Sequence, residues 1–276
     1  MDTKLIKQIH DDLIEFTDHI NENYVAPITK AGDFADEPKL FLYTVLFKLN
    51  NGLSSCRLFI NTDELWQRHL DGLFIILRTM MSDSIICQYV IRKDYKVDGD
   101  IVKNIRPLYT EHFKFTLRDI TKHYKKLFNY SQTEVDTAIR ELKNNYNNYF
   151  NKDGSFKYKP EVLTMGYKVE YLVDDLHDEA VKLLIVKAYN LYMHFSKYEH
   201  LGILSLPMIW RQFDEKNHVT IFRQIVEAIM VVGHSIELCL RIWHQYDLNI
   251  DPVVQGSTKK FEHHRQTLLD IELGKK

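Results

Sequence analysis

Apolar residues recur at spacings of three and four along most of the chain. Leu5, Ile9, Leu13, Phe16 and Ile20 open the pattern, and a period of 3.6 residues places them on one helical face. This predicts a first helix over 3–23. VAPITKAGDFADEP, residues 25–38, reads as a loop, with Pro38 suited to the first turn of a second helix that runs to about 59. Thr62, Asp63 and Glu64 start a third, long helix to about 93. KDYKVDGD then leads to a fourth helical region, expected to be interrupted near Pro107 because proline removes a backbone donor. SQTE at 131–134 is a capping box opening a helix to about 150, with Ser131 and Glu134 satisfying each other's free N–H groups. Two strongly apolar helices follow near 176–201 and 218–246, and Gly202 fits a stop for the first.

The pattern therefore predicts an all-α protein, a single-domain antiparallel multi-helix bundle over 1–250. NKDGSFKYKP at 151–160 is its best internal break, and 251–276 reads as a polar tail with a short helix near 258–272. Composition agrees. The 276 residues are 45% apolar, with only 10 Gly and 6 Pro, too few for the frequent turns of an all-β fold. A net charge of −2 gives no global attraction to polyanions, so any nucleic-acid partner must be met by a local patch.

Cys56, Cys87 and Cys239 are an odd number without a CxxC pair, which suits buried thiols in a reducing cytoplasm. The N-terminus lacks the apolar run of a signal peptide, and LFIIL at 73–77 stops at Arg78. A soluble chain without a membrane partner is expected. Gly-rich phosphate loops, Gly-x-Ser-x-Gly and His-Glu-x-x-His are all missing from the sequence, so neither a cofactor nor a metal is expected. His263 and His264 are expected to be exposed.

Candidate chemistry lies in three places. On the third helix Trp66, Leu70, Leu73, Leu77, Met80 and Ser84 share the core face, while Glu64, Asp71, Arg78, Ser82 and Tyr89 fall in one narrow sector. A polar stripe on a buried helix either pairs internally or lines a pocket, because unpaired buried charge is costly. The second place is LYMHFSKYEHLGILSL, residues 191–206. Val181, Leu184, Ala188, Leu191, Phe195 and Tyr198 form the core face of its helix. Glu199 ends that face, where a carboxylate needs a cation, and Arg78 is the nominated partner. Ser196 and His200 share a side and mark a polar site, or else His200 caps terminal carbonyls. His194 and His200 are six apart, which does not suit a helical metal site.

Arg78 within LFIILRTMMSD and the later SKYEH resemble a bacterial helical-bundle family of unassigned function, in which an arginine opens a buried turn and a later helix ends in Ser-x-aromatic-x-His. The resemblance covers under a fifth of the chain and implies roles for Arg78, Ser196, Tyr198 and His200. Ser82 departs from it, standing where an acidic residue is expected. It implies an intracellular protein acting through a polar pocket or a partner surface.

The third place is KFTLRDITKHYKK, residues 114–126. Phe113, Leu117, Ile120, Tyr124 and Leu127 make its buried face, while Lys114, Arg118, Lys122, Lys125 and Lys126 gather on another side. Such a strip is either a solvated face or a phosphate-binding one. Arg118 and His123 resemble the Arg-x4-His motif of the HEPN superfamily of helical, metal-independent ribonucleases, which implies phosphate binding by Arg118 and proton transfer by His123, in a setting of host defence. Arg106/His112 and Arg211/His218 have similar spacings. Residues five apart on a straight helix point about 140° apart, so Arg118 and His123 need a distorted helix or a homodimer to meet one phosphate. RNA or a protein partner, and a purely structural oligomerisation module, are the alternatives left open.

Overall fold

The stripe of the first helix is buried as its spacing requires: Ile9, Leu13, Phe16 and Ile20 are all within the core of α1 (Thr3–Ile20). The computed structural model describes residues 3–32, 36–60, 70–93, 100–161, 163–199, 214, 217–243 and 251–275, with the side chains of Asp100, Tyr198 and Glu199 excepted. All of the long elements among these residues are helical, so the fold is all-α.

The first part of the loop expected after α1 is helical instead. A π turn over 21–25 passes directly into α2 (Ala26–Ala31), and Gly32, at φ 64°, ends it. Pro27 follows closely on this π turn, where the Ala26 N–H reaches back to the Asn21 carbonyl, so the bond a proline cannot make falls where the helical register already shifts. Next come α3 (Glu37–Phe59) and α4 (Leu70–Arg92). After them are α5 (Asp100–Asp119), a second π turn (Ile120–Tyr124), α6 (Lys125–Phe128) and α7 (Gln132–Asn145). The chain closes with α8 (Met165–Asp175), α9 (Glu179–Glu199), α10 (His218–Trp243) and α11 (Pro252–Glu272).

Two compact units result, Met1–Arg92 with Met165–Lys276, and Lys93–Thr164. The division differs from the expected single bundle with a break at 151–160. In the larger unit, residue pairs fix helix directions. Lys48 meets Asp83, and the vacant side of Gly52 faces Met80, so α3 and α4 run oppositely. Phe74 stacks on Phe195, Arg78 lies over Tyr192, and Gln88 and Arg92 share a cleft with Val181 and Leu184, so α4 and α9 also run oppositely. α10 is the most enclosed helix, with Phe222, Ile225, Val226, Ile229 and Val232 inaccessible to solvent.

The expected polar tail is part of this core. α11 buries Val254, Phe261, His264 and Leu268, and Asp251 caps it by accepting from the Val253 N–H at 2.8 Å. His264 is therefore buried, not exposed, because Asp12 of α1 accepts from its Nε2 at 2.7 Å. A short helix near 258–272 is expected from the sequence, but not its start at Pro252 or its burial, because its few fully buried apolar residues, Val254, Phe261 and Leu268, fall at intervals of seven. α4 is long and apolar enough in composition to cross a membrane, but 61% of that window is buried in the fold.

The smaller unit is built on an aromatic cluster. Phe113, Tyr149 and Phe150 are buried, with Tyr109, Leu117, Leu142, Phe156 and Tyr158 packed around them. α5 continues through Pro107 instead of breaking there. The lost helical bond is outweighed by packing on both sides of it, since Ile105 and Thr110 are fully buried. The capping box forms as expected, the Glu134 N–H donating to Ser131 Oγ and the Ser131 N–H to the Glu134 carboxylate. NKDGSFKYKP is not a boundary. Gly154 turns it at φ 81°, Asp153 accepts from Ser155, and Phe156 bridges back to Phe150, which draws the segment into the aromatic cluster.

Gly52 offers a packing test. A Cβ there would lie 2.3 Å from the Met80 sulfur, and Met80 is itself buried. Gly52→Ala gains about 1 kcal/mol of helix propensity but incurs roughly 1–3 kcal/mol of overpacking. Chemical denaturation should show a net loss on the order of 1 kcal/mol, recovered when Met80→Val is added. A more stable single variant would refute the close α3–α4 approach.

Candidate functional site

Two of the nominated polar residues, 118 positions apart, meet. Arg78 is half-buried on α4, and its Nε donates to Ser196 Oγ on α9 at 3.2 Å. The Ser196 hydroxyl in turn donates to the Tyr192 carbonyl at 2.6 Å. The guanidinium lies 5.3 Å from the centre of the Tyr192 ring, an arrangement that favours a cation over the π face. The Phe74–Phe195 stack, at 5.2 Å, holds the two helices together one turn away. Glu199 and Tyr198 belong to the last turn of α9, but their side chains lie outside the described residues, as does His200. The nominated Arg78–Glu199 pair falls there too.

Glu64 lies outside the described residues, and the other described stripe residues do not join this cluster. Asp71 is exposed, Ser82 is half-buried, and Tyr89 is fully buried, edge-on to Tyr171 at 5.9 Å with the Lys168 ammonium against its ring. Asp71, Arg78, Ser82 and Tyr89 do share a helical sector. At 1.5 Å per residue, however, the first and last are about 27 Å apart along the axis and meet different neighbours. One pocket lined by all of them is thereby corrected to a local Arg78–Ser196–Tyr192 cluster. Beside it His194 packs edge-on to Phe195, and burial, with Lys197 adding repulsion, pushes its pKa down to about 4.

The basic strip has a different character. Lys114, Arg118, Lys122, Lys125 and Lys126 are all exposed. Among the described residues the four lysines have no carboxylate partner. Arg118 lies 4.7 Å above the Phe115 ring and 3.8 Å from Asp119. Aromatic rings are interleaved with these cations: Phe115 is 41% exposed, Phe128 62% and Tyr130 41%. Tyr124 gathers Phe128 and Tyr130 edge-on at 5.6 and 5.2 Å. Leu127, expected in the core, is 63% exposed, because Asn129 at φ 57° ends the helix before anything packs over it. The π turn over 120–124 begins after Arg118 and includes the exposed His123. A π turn fits an additional residue into one revolution, so the 140° offset of a straight helix no longer applies across it.

The same unit carries a second basic feature that the sequence reading missed. A shallow groove of about 730 Å³ is lined by Arg140, Lys143, Lys152 and Lys157 against the single carboxylate of Asp136. Lys143 donates to the Gly154 carbonyl at 3.1 Å and Lys157 to the Asn147 carbonyl at 3.1 Å, which fixes both ammonium groups at the rim. Residues 93–164 contain 14 Lys and Arg against 10 Asp and Glu, a net +4, so the remaining residues carry −6 of the total of −2. A count over that window would have found the asymmetry, but only the fold defines the window.

A cleft of about 610 Å³ in the larger unit also escaped the sequence reading, since Gln88, Lys187, His234 and Glu262 come from four helices. Two of its cations are paired within the protein: Arg241 with Glu237 at 2.7 Å and Lys187 with Glu227 at 3.6 Å. Among the described residues no group of His, Cys, Asp and Glu is placed to hold a metal ion. No protein family, curated protein or solved structure matches the chain.

A double-mutant cycle tests the Arg78 cluster. Ser196→Ala should cost about 1 kcal/mol and Arg78→Met about 2 kcal/mol, typical of a hydrogen bond to a charged group plus partial cation–π loss. The two losses should not add, because each removes the same bond. Strict additivity in denaturation midpoints would show that the bond contributes nothing. His194 supplies a pH test. Its pKa is about 4 in the fold and near 6.5 when unfolded. The unfolded chain therefore takes up this proton first, and stability should fall as pH drops from about 6.5 toward 4. In His194→Gln the stability–pH curve should be flatter over that window; an unchanged curve would mean the imidazole is solvated.

Proposed function

We propose that the chain binds single-stranded RNA through the face of residues 93–164 that carries Lys114, Arg118, Lys122, Lys125 and Lys126. The observation behind it is the alternation of exposed cations with exposed rings along one helical run. Lysines without internal partners can neutralise phosphates, and Phe115, Phe128 and Tyr130 offer faces on which unpaired bases stack. A duplex would hide those bases, so the rings favour a single strand. The groove around Arg140, Lys143, Lys152 and Lys157 adds a second place for backbone phosphates in the same unit.

A second reading rests on the π turn. With the straight-helix offset altered by that turn, Arg118 and His123 suit metal-independent RNA cleavage, the guanidinium meeting a phosphate and the imidazole transferring protons. Should the strip prove idle, the Arg78–Ser196 cluster and a protein partner are the remaining route.

Binding of a labelled single-stranded oligonucleotide, measured against salt, distinguishes these. Engagement of four phosphates gives a log–log slope near −3, or a loss on the order of 50-fold for a fourfold rise in salt. Lys122→Glu with Lys126→Glu should abolish binding while leaving the fold intact, since both side chains are exposed. Binding that ignores salt, or none at low salt, rejects the proposal. Incubating the same oligonucleotide in chelator with wild type, Arg118→Ala and His123→Ala separates binding from cleavage. Cleavage that survives both substitutions removes the catalytic reading and leaves the binding one standing.

A further inference from the structure

Cys87 on α4 and Cys239 on α10 face each other in the core of the larger unit, with their sulfurs 3.3 Å apart. Both side chains are closed to bulk solvent, at 0% and 1% exposure. The two lie 152 positions apart in the chain and are brought together by the packing of α4 on α10. At this separation the two thiols share a hydrogen bond, and a disulfide requires a further closure of roughly 1.3 Å, to about 2.05 Å. Cys87 also lies 4.0 Å from the Ser235 carbonyl, one turn before Cys239, so its side chain is already directed at that face of α10.

We propose that Cys87 and Cys239 form an oxidation site at which a small peroxide converts the two thiols to a disulfide joining α4 to α10. The balance is complete. One thiol sulfur takes the terminal oxygen of hydrogen peroxide, becoming a sulfenic acid and releasing one water. The second sulfur then displaces hydroxide from the first, the S–S bond forms, and a second water leaves with the second thiol proton. Two thiols and one peroxide give one disulfide and two waters.

Gln88 and Leu238, the chain neighbours of the two cysteines, line the cleft of about 610 Å³, so the pair lies behind its wall. The oxidant has to cross that wall as a small neutral molecule, which hydrogen peroxide is and a bulky thiol reagent is not. Hydrogen bonding to Cys87 and burial both push the Cys239 thiol well above its ordinary range, which makes the reaction slow at neutral pH and faster in mild alkali. Cys56 is a built-in control. It is equally buried but has no cysteine beside it, and its thiol is raised by burial alone.

The test uses the intact chain. It is treated with hydrogen peroxide, then unfolded and alkylated with N-ethylmaleimide, and its mass is measured. Untreated protein should take three adducts. Oxidised protein should take one, on Cys56, and a proteolytic digest should contain a single cross-link between the Cys87 and Cys239 peptides. The thermal midpoint should rise after oxidation in wild type and not in Cys87→Ala, in which Cys239 stays alkylable. The same treatment in guanidinium should scatter cross-links among all three cysteines, showing that the fold selects the pair. Three adducts after treatment, a cross-link that includes Cys56, or conversion of either thiol to sulfinic acid in place of the disulfide would overturn the proposal.

Discussion

A carboxylate buried in the most apolar helix constrains the larger unit. Glu227 is 7% exposed in the middle of α10, and a lone charge at such a depth would be destabilising by several kcal/mol. Three cations answer it from three helices: Arg223 one turn earlier at 3.1 Å, Lys187 of α9 at 3.6 Å and Arg265 of α11 at 3.6 Å. Arg223 also holds Glu272 at 2.7 Å, and Thr220 donates to the same carboxylate. A slip of one turn in α9 or α11 would strip partners from Glu227. Hydrophobic burial pulls these helices together without choosing a register, whereas the ionic group tolerates only one.

The same logic recurs where α1 meets α11. Asp12 accepts from buried His264 and from Lys260, and Lys260 also reaches Glu15. Gly233 lets α10 approach this pair closely, with Thr258 and Phe16 against its bare backbone. The chain's last described helix is thus held by its first through polar bonds at a packed apolar seam. Asp251 extends the seam by accepting from Tyr24 and His19, and these bonds, against the opposing effect of its own burial, keep its carboxyl below the usual range.

The smaller unit is organised by rings instead of charges. Phe113, Tyr149 and Phe150 supply its interior, and Lys114, Lys122, Lys125 and Lys126 are left exposed with no carboxylate partner among the described residues. Its π turn and its left-handed Asn129 end the helical run before Leu127 and Phe128 can be covered. Cations and rings therefore reach solvent together. Unmatched charge beside uncovered aromatic surface is a poor arrangement for stability and a good one for a flexible polyanion.

Much of this was legible from periodicity. The apolar stripes of α1, α3, α4, α9 and α10, the capping box at Ser131 and the burial of all three cysteines follow from local rules, because helix faces and caps are set by residues three or four apart. The elements misread were those in which distant partners outweigh local signals. Pro107 stays helical because its neighbours are packed, residues 25–31 are helical through a π turn, and 252–272 is core because Asp12 and Phe16 receive His264 and Phe261. The sites divide in the same way. The sequence by itself determined that Arg78, Ser196 and the lysines of 114–126 were the residues to watch. Only the tertiary structure decided that Arg78 meets Ser196, that Asp71 and Tyr89 do not join them, and that Cys87 faces Cys239. Spacing along a helix fixes the direction of a side chain, while what it meets depends on how helices far apart in the chain pack together.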